Sequence, residues 1–130
     1  WIFVDTDRRR PVRLTADIAD LYESETDKNV FTEEMEDIKC GDYLFKKDYC
    51  IQRRDIDINM HMHNINYLDA AYEMLPEDVY NNENFNQVRI WYKREIRPQD
   101  EVKCRYLYED NIHYIIMTVE GKIHSVIALS

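Results

Sequence analysis

The stretch that decides the fold runs Asp55-Ile56-Asp57-Ile58-Asn59-Met60-His61-Met62-His63 and continues without a break into Asn64-Ile65-Asn66-Tyr67-Leu68-Asp69-Ala70-Ala71-Tyr72-Glu73-Met74-Leu75-Pro76. Residues 55–63 alternate strictly. Ile56, Ile58, Met60 and Met62 fall on one side, and Asp55, Asp57, Asn59, His61 and His63 on the other. That is the two-residue period of an extended segment with one face to a core and one to water. At Asn64 the period changes. Ile65, Leu68, Ala71, Tyr72 and Leu75 share one helical stripe, Asn64 is suited to cap it, and Pro76 stops it. A short strand therefore feeds directly into a helix.

Downstream, an Asn-rich turn (Asn81, Asn82, Asn84) precedes long strand signals at about 86–96, 101–108, 113–119 and 122–129. Pro98-Gln99-Asp100, Asp110-Asn111 and Gly121 punctuate them as hairpin turns. One central helix followed by an antiparallel meander is an α+β layout. Its economical packing is a long antiparallel sheet wrapped around the helix, the hot-dog fold. Upstream, Lys47–Arg54 reads as a strand. Residues 14–40 read as an acidic helix or loop connector, with helical spacing at Ile18, Leu21 and Tyr22 and Thr15 or Asp17 as N-cap. Residues 1–13 read as the end of a strand (Trp1–Asp5) and a basic connector (Arg8–Arg13) containing Pro11. Residues 41–130 then form the main domain. The chain opens in strand character, Trp-Ile-Phe-Val, without Met, and so reads as part of a longer polypeptide.

Composition narrows the function classes. Of 130 residues, 45% are hydrophobic and 33% charged, the balance of a globular protein able to bury a core. Two Gly and three Pro exclude collagen-like or linker-like organisation. The absence of a run of about 18 apolar residues argues against membrane insertion. A net charge of −9 argues against a nucleic-acid partner, because the phosphate backbone rewards a basic footprint. The charge is uneven: residues 20–37 carry eight acids against Lys28, while arginines gather at Arg8–Arg10, Arg53–Arg54 and Arg94–Arg97. Such clusters are either a solvated surface or a docking face for an acidic protein. Cys40, Cys50 and Cys104 are odd in number with no C-x-x-C spacing, which suits a reducing compartment and neither a disulfide framework nor a zinc site. His61 and His63 form an H-x-H pair, but His113 and His124 are remote in sequence, so no metal site is expected.

The chemistry-bearing segment is Asp57-x-Asn59-x-His61-x-x-Asn64. In an extended backbone a carboxylate, an amide and an imidazole at i, i+2 and i+4 project together. A straight strand would hold Asp57 and His61 ~13 Å apart. They can cooperate only if the chain turns near Asn59–Met62. Otherwise the pattern is an edge strand with a wet side and an ordinary helix cap.

Residues 55–67 closely resemble the D-x-D-x-N-x-H-x-N-N-x-x-Y segment of acyl-acyl carrier protein thioesterases. Arg9-Arg10-Pro11-Val12-Arg13 resembles that family's R-R-P-x-R connector between two hot-dog halves, and Tyr92-Lys93-Arg94-Glu95 its Y-R-R-E strand. Three motifs in register cover essentially the whole chain and correspond to the C-terminal half, with Trp1–Asp5 as the last strand of an N-terminal half. The resemblance implies hydrolysis of a fatty acyl thioester to free fatty acid and carrier protein. Carried over, its active site falls on Asp57, Asn59, His61 and Glu95. It further implies no cofactor, a cytoplasmic setting and the acyl-phosphopantetheine thioester of acyl carrier protein as partner substrate. The N-terminal half is expected as a partner within the parent chain, and a homo-oligomer is possible. The Asn-, Ile- and Tyr-rich character points to a bacterial source. Two positions depart from the family: His63 stands where Asn is usual, and Ile96 where plant enzymes carry a Cys.

These groups suffice without a thiol. A carboxylate, Glu95 or Asp57, can draw a proton from an attacking water that Asn59 holds in line, and His61 can donate to the departing thiolate. Amides at the helix N-terminus, around His63, Asn64 and Ile65, would meet the oxyanion. Arg53, Arg54 and Arg97 would dock the acidic carrier. Read from its neighbours alone, Glu95 between Arg94 and Arg97 is a surface ion pair before it is a catalytic group. The rivals are a hot-dog acyl-coenzyme A thioesterase and a non-catalytic acyl-binding or pseudo-dimer scaffold half.

Overall fold

The computed structural model describes residues 3–8, 10–22 and 43–130. Two units are distinguished, Trp1–Ile38 and Lys39–Ser130. In the first, β1 (Phe3–Asp5) pairs antiparallel with β2 (Arg10–Val12), with Asp5 opposite Arg10. The stretch expected to be a basic connector is thus partly strand. Asp5 explains the tight reversal, since its Oδ1 accepts from the amides of Asp7 and Arg8 at 3.0 and 2.8 Å. Helix α1 (Ala16–Asp20) follows, with Thr15 at its N-cap position as the spacing anticipated. Most of the acidic stretch 20–37 lies outside the described residues.

The second unit is a five-stranded antiparallel sheet in the order β3-β5-β6-β7-β4, formed by β3 (Phe45–Tyr49), β4 (Val88–Tyr92), β5 (Val102–Glu109), β6 (Ile112–Val119) and β7 (Lys122–Leu129). Two tight turns join β5 to β7. Asp110 and Asn111 take φ of 51° and 62°, and Glu120 and Gly121 take 50° and 76°, the paired left-handed conformation that matches the strand twist. Helix α2 (Asn66–Tyr72) lies on one face. Tyr67, Ala70, Ala71, Met74 and Leu75 are buried in one cluster with Val102, Cys104, Tyr106, Ile115, Met117, Val119, Ile127 and Leu129. Two adjacent alanines let the helix approach the sheet closely, and this is the hot-dog arrangement expected from the sequence.

Four details differ from the sequence reading. Strand β3 ends at Tyr49, and Arg53–Asp55 is a single 3-10 turn rather than the end of a strand. The buried stripe of α2 runs through Tyr67, Ala70 and Ala71, while Ile65 is exposed, because the helix starts later than the apolar spacing suggested. Asn81 and Asn82 belong to a short helix α3 (Glu77–Asn82), where Pro76 fixes the entry and the Asn82 side chain bonds back to the Asp78 carbonyl. Strand β4 stops at Tyr92, short of the expected Ile96.

No helix among the described residues is long and apolar enough to cross a membrane.

Candidate active site

The alternating stretch is not a strand. Ile56 and Met62 form an isolated antiparallel bridge, and the residues between them fold back as a tight loop. The Asp57 amide donates to the His61 carbonyl at 2.9 Å and the Met60 amide to the Asp57 carbonyl at 3.1 Å. Asp57 drives this reversal. Its Oδ1 accepts from the Asn59 amide at 2.8 Å and from the His61 amide at 3.4 Å. Local side-chain bonds of this kind compete with a sheet ladder and win where an Asp precedes a turn. Met60 takes φ of 63°, a left-handed conformation uncommon for a residue with a side chain, and such positions cluster at functional sites.

The expected apolar face therefore does not exist. Ile58 is 97% and Met60 63% exposed, and of the four only Met62, at 1%, enters the core. The wet face fails in the opposite sense at Asp55, which is 3% exposed. Its Oδ2 accepts from the Tyr49 hydroxyl at 2.8 Å and the Gln52 amide at 2.7 Å. Burial and this neighbouring carboxylate push the Tyr49 phenol pKa up, keeping it a donor. Asp55 is the anchor that the sequence reading missed. Its carbonyl also receives the His63 amide at 2.7 Å, so one residue holds both ends of the loop.

The turn brings the predicted groups together. His61 Nδ1 stands 3.5 Å from Asp57 Oδ2, and the Asn59 side-chain amide donates to the same oxygen at 3.3 Å. Burial works to raise the Asp57 pKa, but the Asn59 and His61 hydrogen bonds and the His61 ring outweigh it, leaving the carboxyl below its usual range. With Nδ1 turned to Asp57, Nε2 is the His61 nitrogen available to a reactant.

Glu95 arrives by a different route. The Lys93 and Arg94 amides both donate to the His124 carbonyl, at 2.8 and 3.0 Å. Two residues opposing one is the pattern of a β-bulge, which bends a strand and re-aims the residues beyond it. The Ile96 carbonyl then accepts the Met62 amide at 2.7 Å, joining this segment to the Asp57 loop. Glu95 itself is exposed, and its carboxylate pairs with Arg97 Nη2 at 3.5 Å. It opens on a hollow of about 450 Å³ also lined by Arg94, Gln99, Asp100, Lys122 and His124. The backbone around Glu95 is thus tied to the loop that carries Asp57, Asn59 and His61, while the carboxylate itself is turned to Arg97.

At the helix entrance, Ile65 rather than Asn64 occupies the N-cap position, without a side-chain cap. The Asn64 carbonyl instead accepts the Tyr92 hydroxyl at 2.9 Å. The His63 amide is engaged by Asp55, and the Ile65 amide donates to His63 Nδ1 at 3.3 Å. Of the three amides expected to meet an oxyanion, two already have partners within the chain. Arg53 and Arg54 are exposed on the 3-10 turn just before the loop. Cys104 is buried on β5, with its thiol pushed up to about 12 mainly by desolvation, and Cys50 is exposed. Cys40 lies outside the described residues. Trp91, Tyr106, Tyr108, Tyr114 and Met117 all lie on strands, with Tyr106 and Met117 buried and Tyr108 exposed.

Residues 38–128 match the acyl-ACP thioesterase C-terminal domain. The chain belongs to that family. Among solved structures, the 12:0-ACP thioesterase of Umbellularia californica superposes with a TM-score of 0.77 at 12% identity, over 98% of this chain and 52% of that one. An acyl-ACP thioesterase of Bacteroides thetaiotaomicron gives 0.74 at 18% identity, over 97% and 51%. A thioesterase of Thermus thermophilus, solved with coenzyme A and Zn, gives 0.55 at 15% identity, over 68% and 82%. The chain spans about half the length of the first two. At these identities the likeness is one of fold. No curated protein sequence matches the chain. Within this acyl-ACP thioesterase domain, Asp57, Asn59 and His61 sit on the loop that enters α2, and Glu95 just past the bulge that ends β4.

Proposed function

We propose that this domain carries the catalytic groups of a thioesterase that hydrolyses fatty acyl thioesters of acyl carrier protein, releasing free fatty acid. The observation that carries the reading is the fold-back of residues 57–61, which sets His61 Nδ1 3.5 Å from the Asp57 carboxylate in a domain of this family.

In this proposal the roles divide among these groups. Asp57 is committed to the Asn59 and His61 bonds and its lowered pKa makes it a weak base, so it orients the imidazole. Glu95 draws the proton from water as the water oxygen bonds to the thioester carbon. Collapse of the tetrahedral adduct breaks the C–S bond, and His61 Nε2 delivers a proton to the departing phosphopantetheine sulfur. The Asn64 amide is the remaining candidate among the helix-entrance amides to meet the oxyanion. Arg53 and Arg54 suit an acidic carrier, while Arg97 serves Glu95 as well. In this reading residues 1–13 join a preceding hot-dog half, residues 14–40 form the connector, and 41–130 form the C-terminal hot-dog domain of a cytoplasmic enzyme.

The fold likeness to a thioesterase solved with coenzyme A supports coenzyme A as the alternative carrier. Assaying one acyl chain on both carriers with the full-length protein separates the two. A preference of at least about tenfold in kcat/KM for carrier protein is expected, and a smaller one favours coenzyme A.

A further inference from the structure

Glu95 stands on an irregular segment, past the end of β4, yet the main chain to either side of it is held. On the C-terminal side, the Ile96 carbonyl accepts the Met62 amide at 2.7 Å, and the Ile96 side chain is wholly buried. The phenol of Tyr67, buried in the first turn of α2, faces the Ile96 N–H. The Glu95 carbonyl itself is 2.8 Å from His124 Nδ1. A carbonyl oxygen only accepts, so the ring must present Nδ1–H, which fixes its tautomer.

His124 acts on this segment twice. Its backbone carbonyl gathers the Lys93 and Arg94 amides and so makes the bulge that turns the chain out of the ladder. Its side chain then seizes the Glu95 carbonyl, just beyond the bulge. The first action needs only a backbone and any residue would supply it. The second needs a donor at the Nδ1 position. Without it, the peptide between Glu95 and Ile96 is fixed at one end only, on a stretch with no ladder bonds of its own. The carboxylate, paired to Arg97 at 3.5 Å, would remain charged but would lose its aim.

We infer that His124 is a positioning residue for Glu95, holding the main chain beneath the carboxylate so that the side chain swings between Arg97 and the reacting water about a fixed Cα. The inference rests on the assignment of Glu95 as the base. Misplacing a reacting group by about 1 Å can cost on the order of 10²-fold in rate, and the loss falls on kcat because no contact with the acyl chain is removed.

Three variants of the full-length protein test this in acyl-carrier hydrolysis. His124→Ala removes the donor and should lower kcat about tenfold with KM unchanged. His124→Asn places an amide N–H where Nδ1–H was and should restore most of that kcat, which a role in bulk or charge would not allow. In a Glu95→Gln background, His124→Ala should add no further loss. Because the bulge is made by backbone, His124→Ala keeps the ladder, and thermal unfolding checks that it folds. Unchanged kcat in His124→Ala beside an inactive Glu95→Gln overturns the positioning role alone. An equal loss in both backgrounds overturns it too, since His124 then acts elsewhere. A fully active Glu95→Gln instead overturns the assignment of the base.

Discussion

The Met62 amide donates a 2.7 Å hydrogen bond to the Ile96 carbonyl, and this single bond joins the two segments on which the candidate site depends. Met62 closes the loop that carries Asp57, Asn59 and His61, and its side chain is buried in the core. Ile96 follows Glu95 directly, and it too is buried. The polar groups face outward from a seam whose other side is apolar packing. The core thus sets the register of the chemistry.

Asp57 predicts how the domain responds to acid. Its pKa is lowered in the folded state, so its contribution to stability is complete above the unfolded value of about 3.9 and disappears as pH falls through the folded one. Asp57→Asn should therefore be less stable than the parent protein above about pH 5, and the gap should close toward about pH 2. Denaturant melts across that range measure the gap; one that is constant with pH would contradict the assignment.

Asp55 should matter to folding. Asp55→Ala empties a buried position and leaves the half-buried Tyr49 hydroxyl and the Gln52 amide without their charged acceptor, a loss of about 2–4 kcal/mol. Asp55→Asn keeps one acceptor oxygen and should lose less. Urea unfolding at neutral pH ranks the pair, and a loss under about 0.5 kcal/mol for Asp55→Ala would count against the anchor.

The fold was legible because periodicity and turn chemistry agreed. Strand β7 spans the eight residues that the pattern marks, and Asp110-Asn111 and Gly121 sit at the turns they announce. The site loop was legible in content but not in form. Strict alternation at 55–63 satisfies a strand, yet an Asp with amides two and four residues ahead prefers to turn, and periodicity is blind to that competition. Tyr92 and His124 escape a sequence reading because each acts on the backbone carbonyl of a distant residue, for which no spacing rule exists, and Asp55 escapes it because strict alternation assigns it to the wet face. Glu95 is found through the resemblance. Its neighbours alone suggest a surface ion pair, and its carboxylate does pair with Arg97.

Docking should read out at Arg53 and Arg54, which are exposed ahead of the loop. Reversing either to Glu should lower the association rate with acyl carrier protein and flatten its salt dependence, with kcat at saturation retained. Arg97→Glu should differ by lowering kcat as well, because it sets a like charge against Glu95. Stopped-flow association at several ionic strengths separates the two effects. Unchanged rates for both Arg53→Glu and Arg54→Glu would make those arginines ordinary surface.

The proposed hydrolysis uses a carboxylate–histidine set and no thiol. Single-turnover hydrolysis of an acyl-carrier thioester by Glu95→Ala and by Cys104→Ser, each in the full-length protein, tests it most directly. Cys104 is buried with its thiol held up to about 12, so Cys104→Ser should keep nearly the parent rate. Glu95→Ala should fall on the order of 10²-fold or more, the scale for removing a general base. A Cys104→Ser enzyme that is inactive while Glu95→Ala survives would contradict the account.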